Sequence, residues 1–158
     1  MKILASLLFA ILAVSAPAEP LIVMVRHAEK AIEGGNDQSL SPDGKARAEK
    51  LAAMLKDSKL AAIFTSEFKR TQETAGPTAK LLGITPTVIS GQDVKSLAAK
   101  LKELDGIALV VGHSNTIPEL IKLLGVPESI EIKEDDYTQI FIVALGEKPR
   151  LLRLHFDR

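Results

Sequence analysis

The run Leu21-Ile22-Val23-Met24-Val25 stops abruptly at Arg26 and His27, and a second run, Ile107-Ala108-Leu109-Val110-Val111, stops at Gly112-His113-Ser114-Asn115. Short apolar runs without polar alternation read as strands buried on both faces, the pattern of a parallel sheet covered by helices. Ligands of open α/β sheets bind just outside the carboxyl ends of the strands. Each of these two strands delivers an imidazole to that edge, the first together with a guanidinium. A cation beside a nucleophilic ring is suited to holding an anion and attacking it.

The rest of the chain alternates in the same sense. Ser41-Pro42-Asp43 is a helix start, with a capping hydroxyl, a proline in the first turn and an early acid. Ala48, Leu51, Ala52 and Leu55 continue it as an apolar stripe. Leu60–Thr65 reads as a strand. Ser66-Glu67 is expected to open a helix through Arg70 and Thr74, with Pro77 breaking or kinking it and Gly83 ending it. A strand over Thr85–Ile89, a helix bearing Val94, Leu97, Ala98, Leu101 and Leu104, and a short helix from Thr116 to Leu124 follow. Two closing strands, Gln139–Leu145 and Arg150–Phe156, are expected to pair antiparallel at one edge. The prediction is a three-layer α/β/α domain with a mostly parallel sheet.

Residues 1–18 stand apart from that domain. Lys2, the apolar run Ile3–Val14 and Ala16-Pro17-Ala18 have the order of a cleavable signal peptide. The run is shorter than the roughly 20 residues that span a bilayer. The expectation is a mature domain over residues 19–158, periplasmic or extracellular, with no stable membrane insertion after signal removal. The chain has 158 residues, a net charge of zero and no basic block, so no nucleic-acid partner is expected. It has no cysteine, so the domain must hold without disulfides.

Arg70 lies a few residues past the strand Leu60–Thr65, which brings it to the same sheet edge as Arg26, His27 and His113. Paired arginines grip phosphate through N–H donors in a geometry that lysine does not match. Neighbouring arginines also disfavour an imidazolium at His27, which keeps the ring a free nucleophile. His155 falls on an alternating strand and is expected to point outward. No two histidines have metal-ligand spacing, so neither a metal site nor a cofactor is expected.

These segments resemble the histidine phosphatase superfamily, the phosphoglycerate mutase-like group. The resemblance rests on Val25-Arg26-His27-Ala28-Glu29, on Asp37-Gln38-Ser39-Leu40-Ser41-Pro42-Asp43-Gly44, on Thr65 through Ala75, and on Val111-Gly112-His113-Ser114. They occur in family order, and the compact chain looks most like the small bacterial branch that includes phosphohistidine phosphatases. The resemblance implies a phosphatase in which His27 takes the phosphoryl group while Arg26, Arg70 and His113 surround its oxygens, with no metal. Its substrate would be a phosphorylated small molecule or a phosphoprotein. Ala28 stands where the signature has glycine.

Breaking an ester calls for a proton on the leaving oxygen. Some branches supply it from an aspartate directly after the second histidine, where this chain has Ser114. Asp93 and Glu29 are the candidate acids here. A leaving group of low pKa, as in a phosphoramidate or acyl phosphate, would need neither. Two other functions remain open on these residues: a phosphomutase, and a phosphate- or phosphoprotein-binding module without turnover.

Overall fold

A computed structural model describes residues 19–156 of the protein, so the expected signal peptide lies outside the described residues. Within them the chain alternates as expected: β1 (Leu21–Arg26), α1 (Pro42–Leu55), β2 (Leu60–Thr65), α2 (Lys69–Leu82), β3 (Thr87–Val88), α3 (Val94–Lys102), β4 (Ile107–Gly112), α4 (Thr116–Leu123), β5 (Gln139–Ala144) and β6 (Arg150–His155). The six strands form one sheet in the order β3-β2-β4-β1-β5-β6. The first four named are mutually parallel, and β5 runs antiparallel to both β1 and β6.

Side chains alternate across β1 and thereby build two cores. Ile22 and Met24 pack with Val94, Ala98 and Leu101 of α3 and with Ile117, Leu120 and Ile121 of α4. Val23 and Val25 face the other way, onto Leu51 of α1 and Ala75 and Ala79 of α2. Helix pairs therefore cover both faces, and Ile22, Val23, Val25, Val110 and Val111 of the two central strands are buried. The arrangement is the expected three-layer α/β/α sandwich. In register, Arg26 lies opposite Gly112, so the two strand ends carrying the histidines sit side by side.

Three local expectations change. The Thr85–Ile89 strand contracts to two exposed residues at the sheet edge, since Pro86 offers no donor to the ladder. Pro77 does not break α2, which runs unbroken from Lys69 to Leu82 and buries Thr74, Ala75, Thr78 and Ala79 around it. That helix also begins at Lys69 rather than at Ser66-Glu67. The Ser66 hydroxyl is committed elsewhere, and the helix takes its amino-terminal acceptor from a distant loop.

Candidate functional site

That acceptor is Asp37, whose Oδ1 receives the Lys69 backbone N–H at 2.8 Å. The α2 cap residue, Phe68, contributes no side-chain bond of its own. Glu73 in turn accepts the Leu40 N–H at 2.7 Å, and Thr74 Oγ1 accepts the Ala28 N–H at 2.9 Å. The 28–40 loop is thus bolted to α2 at both ends, next to the strand end that bears His27. At its far side an ideal Cβ on Gly44 would lie 2.1 Å from the Glu29 carbonyl oxygen. Only glycine lets α1 approach that closely. Asp37, Leu40, Gly44 and the Thr71-Gln72-Glu73-Thr74 run therefore have framework tasks, and together they fix where Arg70 stands.

The cleft they frame has a volume of about 350 Å³, and Arg26, His27, Arg70 and His113 all line it. The four residues expected from the sequence to meet do meet. His27 is 4% exposed, and its Nδ1 lies 2.8 Å from the Ala28 carbonyl oxygen. A carbonyl only accepts, so the neutral ring carries its proton on Nδ1 and leaves the lone pair on Nε2. Burial, and after it the nearby Arg26, His113 and Arg70 charges, push the His27 pKa down to about 3, against one opposing contribution from the Ala28 hydrogen bond. The arginines thus act as expected, but desolvation is the larger cause.

His113 sits with its ring centroid 5.4 Å from that of His27, edge to face. Its Nε2 meets Ser66 Oγ at 2.9 Å, and Ser66 Oγ meets Thr71 Oγ1 at 2.9 Å. Thr71 also donates to the Phe68 carbonyl at 2.8 Å. With that proton spent, Thr71 accepts from Ser66, and Ser66 accepts from His113. The hydroxyl pair therefore holds the proton of neutral His113 on Nε2. Burial and Arg70 push the His113 pKa down to about 4. Gly112, just before it, leaves room for α4: a Cβ there would lie 2.9 Å from both Ile117 and Thr116 side-chain atoms.

The two arginines are held differently. Arg26 donates from Nη1 to the carbonyls of Lys133 (2.9 Å) and Glu134 (2.7 Å), and from Nη2 to the Glu134 carboxylate (2.8 Å). Its guanidinium also lies 4.4 Å from the Tyr137 ring centroid. Arg70 stacks 4.3 Å over Phe68 and makes one long bond, 3.3 Å, to the Asn36 carbonyl. In each, Nε is buried and has no acceptor.

The two candidate acids lie elsewhere. Asp93 caps α3, accepting the Ser96 N–H at 3.1 Å, and does not line the cleft. Glu29 turns away to Arg47, which donates from Nε and Nη2 at 2.5–3.0 Å. Burial alone would raise the Glu29 carboxyl, but the Arg47 bonds hold it below the usual carboxylate range. The carboxylates that do line the cleft are Glu67 and Glu134, joined there by Lys30 and Ser114. Glu67 belongs to the expected helix start Ser66-Glu67, a reading that gives it no part in the site. Glu134 sits on an exposed loop between α4 and β5, where no pattern marks it. Ala28 is fully buried with Leu40 and Ala48, so its Cβ fills a small core. Among the described residues, no three His, Asp or Glu side chains are grouped to hold a metal ion. His155 is exposed on β6, as expected.

Residues 22–93 match the model of the histidine phosphatase superfamily (branch 1). The resemblance to that superfamily holds. Solved structures agree in fold. The protein histidine phosphatase SixA complexed with tungstate is 20% identical, with a TM-score of 0.72 over 85% of this chain and 96% of that one. Mycobacterial glucosyl-3-phosphoglycerate phosphatase is 14% identical, with a TM-score of 0.67 over 87% and 98%. A putative phosphohistidine phosphatase SixA from Agrobacterium tumefaciens is 21% identical, with a TM-score of 0.63 over 85% and 97%. No curated protein sequence matches the chain.

Proposed function

We propose that this histidine phosphatase homologue hydrolyses a phosphomonoester or phosphoramidate in two steps, through a phosphohistidine on His27 and without a metal ion. The observation that carries the reading is the tethered His27 ring. Its Nδ1 proton is bound to the Ala28 carbonyl, which aims an unprotonated Nε2 at a cleft walled by Arg26, Arg70 and His113. Nε2 attacks phosphorus, the bond to the leaving group breaks with its electron pair, and water later displaces phosphate from the ring. The arginines take up charge on the equatorial oxygens beside the His113 ring, the largest contribution expected for a transfer of this kind. The family match and the phosphatases of like fold, one of them complexed with the oxyanion tungstate, support the same reaction class.

Neither Asp93 nor Glu29 reaches the cleft. The carboxylates that line it are held below the usual carboxylate range, Glu67 despite burial by the Gly91 N–H and Glu134 by the Ser114 hydroxyl. This favours substrates whose leaving group departs without a proton from the protein. Such a substrate is a phosphorylated small molecule or a phosphoprotein. Export belongs to the same proposal, supported by the Ile3–Val14 run and Ala16-Pro17-Ala18. The test is to mix residues 19–158 with a ³²P-labelled phosphate donor and quench in base. Acid-labile, base-stable label on His27, absent from His27→Ala, is the expected result. Label confined to Ser66 or Ser114, or full turnover by His27→Ala, overturns the reading.

A further inference from the structure

Two-step transfer needs a base to act on the incoming water. Among the residues so far assigned to the reaction only His113 keeps a lone pair, on an Nδ1 whose basicity burial and Arg70 have lowered. His113 gives its Nε2 proton to Ser66, and both arginines are fixed cations. Two carboxylates line the cleft. Glu67 is drawn to the β3–α3 turn, its Oε2 accepting the Gly91 N–H at 2.8 Å. Glu134 is anchored at both oxygens instead: Oε2 accepts from Arg26 Nη2 at 2.8 Å, and Oε1 accepts from the Ser114 hydroxyl.

Those two donors are the chain neighbours of His27 and of His113. The anchoring therefore stations one carboxylate beside both rings, while 77% of its side chain stays open to solvent. The Ser114 bond, and with it the Arg26, Lys30 and His27 charges, holds the Glu134 carboxyl below the usual carboxylate range. It is ionised at neutral pH and cannot protonate a leaving group, but each oxygen keeps a lone pair for a water proton.

We infer that Glu134 is the general base of the second step, an assignment that rests on the phosphohistidine reading above. The carboxylate removes a proton from a cleft water as the water oxygen bonds to phosphorus. The P–Nε2 bond breaks, and its electron pair returns to His27. Inorganic phosphate leaves, and Glu134 gives its proton to solvent. In-line displacement requires this water to enter opposite Nε2, from the open side that the leaving group has vacated. Glu134 lines the same cleft as His27, with most of its side chain open to solvent.

The experiment is rapid-quench turnover of para-nitrophenyl phosphate by residues 19–158 and by Glu134→Gln. The expected result is an undiminished burst of nitrophenol, a steady-state rate lower by roughly 10²-fold, as for loss of a general base, and phosphohistidine accumulating on His27. Glu134→Ala should behave alike and recover turnover with added formate, a small carboxylate that a purely structural loss would not answer. If Glu134 only orients Arg26, the burst slows in parallel with the steady state and no intermediate builds up, which overturns the assignment. Turnover within about twofold of wild type overturns it as well. Wild-type protein that never labels on His27 refutes the two-step reading itself, whereas normal wild-type labelling without accumulation in Glu134→Gln refutes Glu134 alone.

Discussion

Replacing His27 by Asn should make the protein less sensitive to acid, even though it abolishes the chemistry. Asn keeps an N–H donor for the Ala28 carbonyl and removes the titrating ring. In the folded protein the His27 pKa is lowered from 6.5 to about 3. Below pH 6.5 the unfolded chain binds a proton that the folded chain refuses, so stability is lost as pH falls from 6.5 toward 3. Between pH 7 and pH 5 this linkage is worth about 2 kcal/mol for one histidine. At pH 5 the native ring is still neutral, so nearly the whole unfolded-state titration counts. The other titrating groups are common to both proteins, so to first order their contributions cancel. Urea midpoints at the two pH values therefore give the answer directly. Wild type should lose roughly 2 kcal/mol more than His27→Asn on going from pH 7 to pH 5. Parallel losses would mean that His27 is not held neutral by burial, and the argument for a free Nε2 nucleophile across the acid range would fall with it.

Arg70→Ala should leave the unfolding midpoint within about 1 kcal/mol of wild type and lower turnover by about 10²-fold, the scale of one lost preorganised donor; more than half the wild-type rate would remove Arg70 from the site. Asp93→Ala should cost about 1 kcal/mol in urea unfolding, through the lost cap on α3, while kcat stays within about twofold; a loss of kcat beyond tenfold would restore Asp93 as a catalytic candidate.

The fold was legible because its central strands have no surface to hide. Ile22 through Val25 and Ala108 through Val111 are buried on both faces, so their sequence contains no polar alternation to misread. Where the sheet ends, the signal weakens. Thr87-Val88 is exposed on both sides, and the β-branched run around Pro86 suggested more strand than a proline-containing edge can pair. The start of α2 failed for another reason. Ser66 has the chemistry of a cap, but its hydroxyl is taken by Thr71 and His113, and the acceptor comes from Asp37, 32 residues earlier. Local propensity cannot register a cap supplied by a different loop.

The same division runs through the site. His27 and His113 were legible because each follows directly on a buried strand, so their position is inherited from the sheet. Arg70 was legible because it lies in the first turn of α2, directly after the buried strand β2. Carboxylates belong to loops, and loops are placed by whatever they touch. Glu29 is next but one to the nucleophile in sequence, yet Arg47 at 2.5 Å turns its oxygens away from the cleft. Glu134 is more than a hundred residues from Arg26 and is drawn in because that guanidinium needs acceptors on its loop side. Arg26 spends Nη1 and Nη2 on Lys133 and Glu134, and these bonds bring the 133–136 loop to the cleft rim. One strand-end arginine thus faces the anion site on one side and on the other holds in place the carboxylate that completes it.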